Sequence, residues 1–167
     1  PDWTLDVIDE STPTLGPLEG DEASMEQYGM GKIACENAVL DAFGPERSAI
    51  LRAGLIGGPG DRSGRSGYWP WRFAHPSGPE VLVPDVADQV SQLIDVRDLA
   101  AWMVTVCEDR VAGTYVVDGP ATTLGHALAA AMAAAATSVP TLPVAEEWLL
   151  AQGVTPWMGP RSLPLWL

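Results

Sequence analysis

Lysine is nearly absent from this sequence. Lys32 is the only one, and with eight arginines it faces 22 acidic residues, for a formal net charge of -13 over 167 residues. Phosphate backbones and anionic lipid surfaces are held by basic patches, so a chain this acidic is expected to bind no nucleic acid and no membrane. Cysteine is scarce as well. Cys35 and Cys107 stand far apart and outside any C-x-x-C pattern, which excludes a disulfide framework and a thiolate metal site. Both read as small buried side chains. No apolar run reaches the roughly 18 residues of a membrane span, and the opening Pro-Asp-Trp-Thr has none of the basic-then-apolar order of a leader. A cytoplasmic protein with no metal is expected.

What the chain does have is apolar residues, 47 % of the total, in a length normal for one domain. Residues 1–22 carry three prolines and no sustained period, and read as surface loop. A helix is expected over 24–43, capped by Ser24 and ended by Gly44-Pro45. Strands are expected at 47–52, 81–83, 92–94 and 113–117, and a short aromatic helix at 68–74. Asp95 is placed to cap a helix over 96–108, with Asp98 in its first turn. Thr122 or Thr123 should open an alanine-rich helix, and a last helix should cover 144–152. Strands alternating with helices predict an α/β fold with a largely parallel sheet.

Tyr28 and Lys32 are four residues apart, one helical turn, so their side chains can share a face. A free phenol ionises near pH 10, and an ammonium one turn away favours the phenolate, which suits acid/base work near neutrality. Incidental spacing on an amphipathic helix is the alternative. Gly29 and Gly31 each cost a helix about 1 kcal/mol relative to alanine, so close approach of a ligand or another helix is expected there. Cys35 and Val39 continue the Tyr28/Lys32 face and suggest that it is walled in.

The run GLIGGPGDRSGRSG fails as a phosphate cradle, because Ser63 stands where G-x-G-x-x-G needs its last glycine and no Gly-Lys pair follows. It is either a surface loop after a strand or a ligand loop at the carboxyl end of a parallel strand. His75 and His126 lack a G-x-S-x-G elbow. Arg62, Arg65 and Arg72, beside Tyr68, Trp69 and Trp71, form a basic aromatic patch, either solvated or a lid over an anionic or aromatic ligand.

Taken in order, YGMGKIACENAV, LRAGLIGGPGD, LIDVRDLAAWM and GTYVVDGP resemble the extended short-chain dehydrogenase/reductase superfamily, in particular its NAD-dependent epimerase/dehydratase family. The tail TPWMGP and LPLWL is similar to an actinobacterial-type subgroup. The resemblance implies a Rossmann-like doubly wound parallel sheet. This chain would be its C-terminal part, with the catalytic helix and next strand in 1–52 and the substrate loops and a small C-terminal region in 53–167. Tyr28 would be the acid/base and Lys32 would hold the nicotinamide ribose of NAD or NADP. Gly54, Leu55 and Ile56 would lie beside the nicotinamide, and Arg65 and Tyr68, matching DRxxYW, in the substrate pocket. Asp95, Arg97 and Asp98 match FIDVRDLA, a capping segment. The Tyr28 helix would support a homodimer.

Departures from the family pattern carry their own expectations. Ala53 replaces the proline of LRPG. The dinucleotide turn, the first four strands and the catalytic Ser/Thr would all precede Pro1, so the chain alone is expected to be inactive. Ser91 stands where nucleotide-sugar epimerases carry the arginine of RDFIHV. A small carbonyl or hydroxyl compound is therefore the expected substrate of an oxidoreductase or epimerase-type enzyme. The alternative is a non-catalytic nucleotide-sensing or scaffold relative.

Overall fold

Each expected helix forms in the computed structural model, which describes residues 8–157 and 159–166; expectations for residues 1–7 and for Met158 lie outside these. Helix α1 runs Tyr28–Phe43, one turn later than its cap suggests. Ser24 Oγ accepts from Gln27 N at 3.3 Å while Gln27 Oε1 accepts from Ser24 N at 3.2 Å. This reciprocal capping box orders 24–27 as hydrogen-bonded turns ahead of the helix. Gly44, at φ 80°, ends it by donating to Leu40 O at 2.8 Å, and Pro45 prevents continuation.

The chain divides into two compact units. One runs up to Gly54 and takes in Arg97–Asp118. It holds α1, β1 (Ala49–Ala53), α3 (Val96–Glu108) from Arg97 onward, and β5 (Gly113–Val117). β1 and β5 pair in parallel, from Ala49↔Gly113 to Ala53↔Val117. Gly113 N donates to Ser48 O and Gly54 N to Val117 O, so Ala49, Leu51 and Ala53 turn their backbone groups to the other edge of β1. No described strand pairs there. On the far edge of β5, Val116 N donates to Glu10 Oε1 at 2.8 Å. Arg52 grips Glu36 with a fork, Nε to Oε1 at 3.1 Å and Nη2 to Oε2 at 2.7 Å, and so ties β1 to α1.

The second unit joins Leu55–Val96 to Gly119–Leu167. β2 (Leu55–Gly57) pairs in parallel with β4 (Val90–Asp95), and β6 (Ala121–Thr123) pairs antiparallel on β4's other side. β3 (Val81–Pro84) and β7 (Thr141–Val144) form a parallel pair, as do the short β8 (Thr155–Pro156) and β9 (Ser162–Leu163). Helices α2 (Arg65–Ala74), α4 (Leu124–Ala134) and α5 (Glu146–Ala151) complete it. The core gathers Trp69 and Phe73 of α2, Val81 and Val83 of β3, Leu124 and Leu128 of α4, and Trp166. Trp69 and Phe73 are one turn apart and so face the same way. The Trp69 indole N–H reaches Pro164 O at 2.7 Å.

Several expectations are corrected. The glycine run begins with strand β2, and Ala121–Thr123 forms β6 before Thr123 Oγ1 caps α4 by accepting from His126 N at 3.2 Å. Val144 belongs to β7, because Pro143 stops no strand when its missing N–H falls on an open edge. Both cysteines are exposed. Cys35 sits on a helix that buries nothing, and Cys107 follows Val106, whose side of α3 is the inward one. Among the described residues, no helix is long and apolar enough to cross a membrane.

Two positions on β4 and after β5 explain local sequence. A Cβ at Gly119 would overlap the Leu93 carbonyl, so the turn beside β4 needs glycine for close approach. Ser91 is 5 % exposed and its Oγ has no hydrogen-bond partner among the described residues. A buried orphan hydroxyl costs about 1–3 kcal/mol. Ser91→Ala is therefore expected to leave stability unchanged or raise it by about 1 kcal/mol in chemical denaturation; a clear loss would mean the hydroxyl has a partner.

Candidate active site

Tyr28 and Lys32 project from α1 one turn apart, Tyr28 at 61 % exposure and Lys32 exposed as well. No α1 residue is buried, and Cys35 and Val39 are exposed. The walled-in face expected from them is corrected: among the described residues nothing covers it. The two glycines have a different cause from a ligand. A Cβ on Gly29 would come to 2.8 Å from Leu15, and one on Gly31 to 3.1 Å from Ala23. Leu18 N also donates to Met30 O at 3.0 Å. The segment before α1 thus approaches the helix at Gly29 and at Gly31, on either flank of the Tyr28/Lys32 stripe, which stays exposed. Neither the Tyr28 hydroxyl nor the Lys32 ammonium has a partner among the described residues.

Gly54 closes β1, and its amide is used by Val117 O at 3.1 Å. A Cβ there would overlap the Asp118 carboxylate. Glycine at this position therefore serves the approach of β5's end as well as any ligand. Leu55 and Ile56, expected with Gly54 beside a nicotinamide, lie on β2 in the second unit.

In that unit a cleft of about 230 Å³ is lined by Ile56, the Gly57–Asp61 loop and Val96. β2 and β4 run parallel, and the cleft stands at their carboxyl ends, where α/β sheets bind ligands. The glycine loop thus stands at the carboxyl end of a parallel strand. Gly58, at φ 111°, brings its backbone against the Asp95 carboxylate, with 3.2 Å left for a Cβ.

Asp61 ties the loop to α2. Its Oδ1 accepts from Ser63 N at 2.8 Å and from Ser63 Oγ, and its Oδ2 from Ser66 N at 2.9 Å and Ser66 Oγ at 2.7 Å. These bonds, led by the two serine hydroxyls, hold its carboxyl well below the usual range. A carboxylate depressed in the folded state stabilises fully above its unfolded pKa and loses that contribution only as pH falls through the folded value. The Ser63 and Ser66 amide resonances are thus expected to stay unchanged down to about pH 3, below the ordinary aspartate midpoint. A shift centred near pH 4 would refute the tie.

Arg65 and Tyr68 occupy neighbouring turns at the start of α2. The Arg65 guanidinium lies 4.6 Å from the centre of the Trp157 ring. Tyr68 is half-buried, edge-on to Trp69 at 5.0 Å, and burial pushes its phenol pKa up. Arg72 is bonded to Ser77 Oγ at 2.8 Å, and His75 stacks on Trp71 at 5.1 Å. The patch expected from the sequence is thereby divided: Arg72 and His75 are held locally, while Arg65 is laid on a ring from the C-terminal segment. Of the expected site residues, Tyr28, Lys32 and Gly54 belong to the first unit and Leu55, Ile56, Arg65 and Tyr68 to the second. Sequence reasoning missed Asp61 and Trp157. The spacing Asp61, Ser63, Ser66 is a legible capping signal; Trp157 lies in a stretch with no period to read.

No protein-family model matches the chain, and no curated protein matches it. Among solved structures, the UDP-glucose 4-epimerase of Thermus thermophilus, solved in complex with NAD, matches with a TM-score of 0.54 at 18 % sequence identity. The match covers 86 % of this chain and 56 % of that one, so the chain spans little more than half the length of the epimerase. The fold is accordingly an α/β Rossmann-like one.

Proposed function

We propose that this chain carries the proton-transfer and substrate-binding elements of an NAD(P)-dependent oxidoreductase or epimerase-type enzyme acting on a small carbonyl or hydroxyl compound. The observation that carries the reading is Tyr28 and Lys32, one turn apart and unpartnered on an open face of α1. The shared fold with an enzyme solved with NAD supports it.

The residues present fit the nicotinamide end of such a cofactor. Lys32 offers three donors to ribose hydroxyls, and no described acceptor competes for them. When bound, the cofactor supplies or accepts the hydride. The Tyr28 hydroxyl gives its proton to the substrate oxygen as a carbonyl is reduced and takes it back in the reverse direction. Lys32 stabilises the phenolate left behind. Arg65 and Tyr68, on the second unit, offer donors to a ligand.

The test is turnover by the complete protein with NADH and NADPH across a panel of carbonyl compounds, for wild type and Tyr28→Phe. Activity lost in the variant supports the reading; equal activity in both overturns it. The exposure of Tyr28 favours one second reading, a non-catalytic nucleotide-sensing or scaffold relative. Cofactor binding without turnover of any panel member would select that one.

A further inference from the structure

Three arginines are half-buried among the described residues: Arg52 is paired with Glu36, Arg72 is bonded to Ser77, and Arg65 has no described hydrogen-bond or ion-pair partner for its guanidinium, which lies over the face of Trp157. Stacking uses the flat side of the guanidinium and leaves the N–H donors along its edge for a ligand. One turn on, Tyr68 is half-buried with a hydroxyl that has no described partner. Trp157 is held at φ 55°, a left-handed conformation that tryptophan rarely adopts. Asp61 stays ionised and bonded to Ser63 and Ser66, and no ion pair joins it to Arg65. The first two α2 amides are taken, Ser66 N by Asp61 and Arg65 N by Ser63 Oγ at 3.3 Å. The binding capacity therefore rests on the side chains.

Building on the oxidoreductase reading, we infer that Arg65, seated on Trp157 and assisted by the Tyr68 hydroxyl, binds a carboxylate of the substrate. A guanidinium edge matches the two oxygens of a planar carboxylate. The ring of Trp157 supplies an apolar wall beside it.

The test is titration of the full chain with benzoate, its neutral isostere benzamide, and inorganic phosphate, followed by the Arg65 Nε–H and Trp157 indole N–H resonances. Benzoate is expected to shift both signals saturably and at least tenfold more tightly than benzamide. Arg65→Gln should lose at least tenfold in benzoate affinity, and Arg65→Lys, which keeps the charge without the fork, should fall between. Equal binding of benzoate and benzamide would overturn the inference, and so would tighter binding of phosphate. The Tyr28→Phe variant separates the two claims, since it should bind benzoate as wild type does. Turnover without benzoate binding would overturn the carboxylate site alone; benzoate binding by a wild-type protein that turns over nothing would overturn the oxidoreductase reading alone.

Discussion

Tyr28→Phe is expected to lower kcat of the complete protein by at least about 100-fold while leaving cofactor affinity nearly unchanged. General acid/base groups contribute about 10²–10⁴ in rate, and phenylalanine removes the proton while keeping the ring. The variant is well suited to this question because Tyr28 is 61 % exposed and its hydroxyl has no described partner. Folding should therefore change by no more than about 0.5 kcal/mol, the usual range for surface substitutions. Lys32 remains in place to hold the ribose, so a loss confined to kcat assigns the proton transfer to Tyr28. A variant with wild-type kcat would remove the tyrosine from the mechanism.

How much of the fold could be read in advance follows from the kind of signal each element carries. Helices announced themselves through polar residues near their starts: Ser24 ahead of α1, Asp95 before Val96, Thr122 or Thr123 before Leu124. At Thr123 the structure gives the cap bond directly, at 3.2 Å, whereas Ser24 closes the turn one step before α1. Local chemistry decides such ends, and local chemistry is visible in sequence. The short strands were harder. β2 has three residues in a glycine-rich run, and β6 three residues beside a proline. Each exists because β4 offers it a partner, and pairing between distant residues leaves no period in so short a segment.

The candidate site divides along the same line. The spacing of Tyr28 and Lys32 is a helical repeat and needed only α1 to exist. Their surroundings were misjudged, since Cys35 and Val39 look like core residues by composition, yet both are exposed and the segment at Leu15–Ala23 meets α1 at Gly29 and Gly31 on the flanks of that face. Gly29 and Gly31 do admit close neighbours, but these are the Leu15 and Ala23 side chains of a non-helical segment, not the ligand or second helix expected. The Arg65–Trp157 contact spans residues far apart in sequence, and only tertiary structure brings it into view.

Phe73→Ala should cost about 3–5 kcal/mol, the range for emptying a fully buried phenylalanine site. Phe73 is 0 % exposed, tilted against Trp69 at 6.2 Å, and sits in the core built from α2, β3 and α4. Total stabilities of domains run about 5–15 kcal/mol, so this one change removes a large share and should lower Tm by roughly 10 °C. The other phenylalanine provides the control. Phe43 lies at the end of α1 at 59 % exposure, and little water-excluded surface is lost with it, so Phe43→Ala should cost under about 1 kcal/mol. Parallel denaturation curves decide the matter. A small effect at Phe73 would contradict the packing of the second unit, whereas a cost at Phe43 as large as that at Phe73 would mean that the α1 face is covered in solution. In that event the openness of Tyr28 and Lys32 would have to be replaced by a buried setting, with the proton transfer taking place in a site shielded from water.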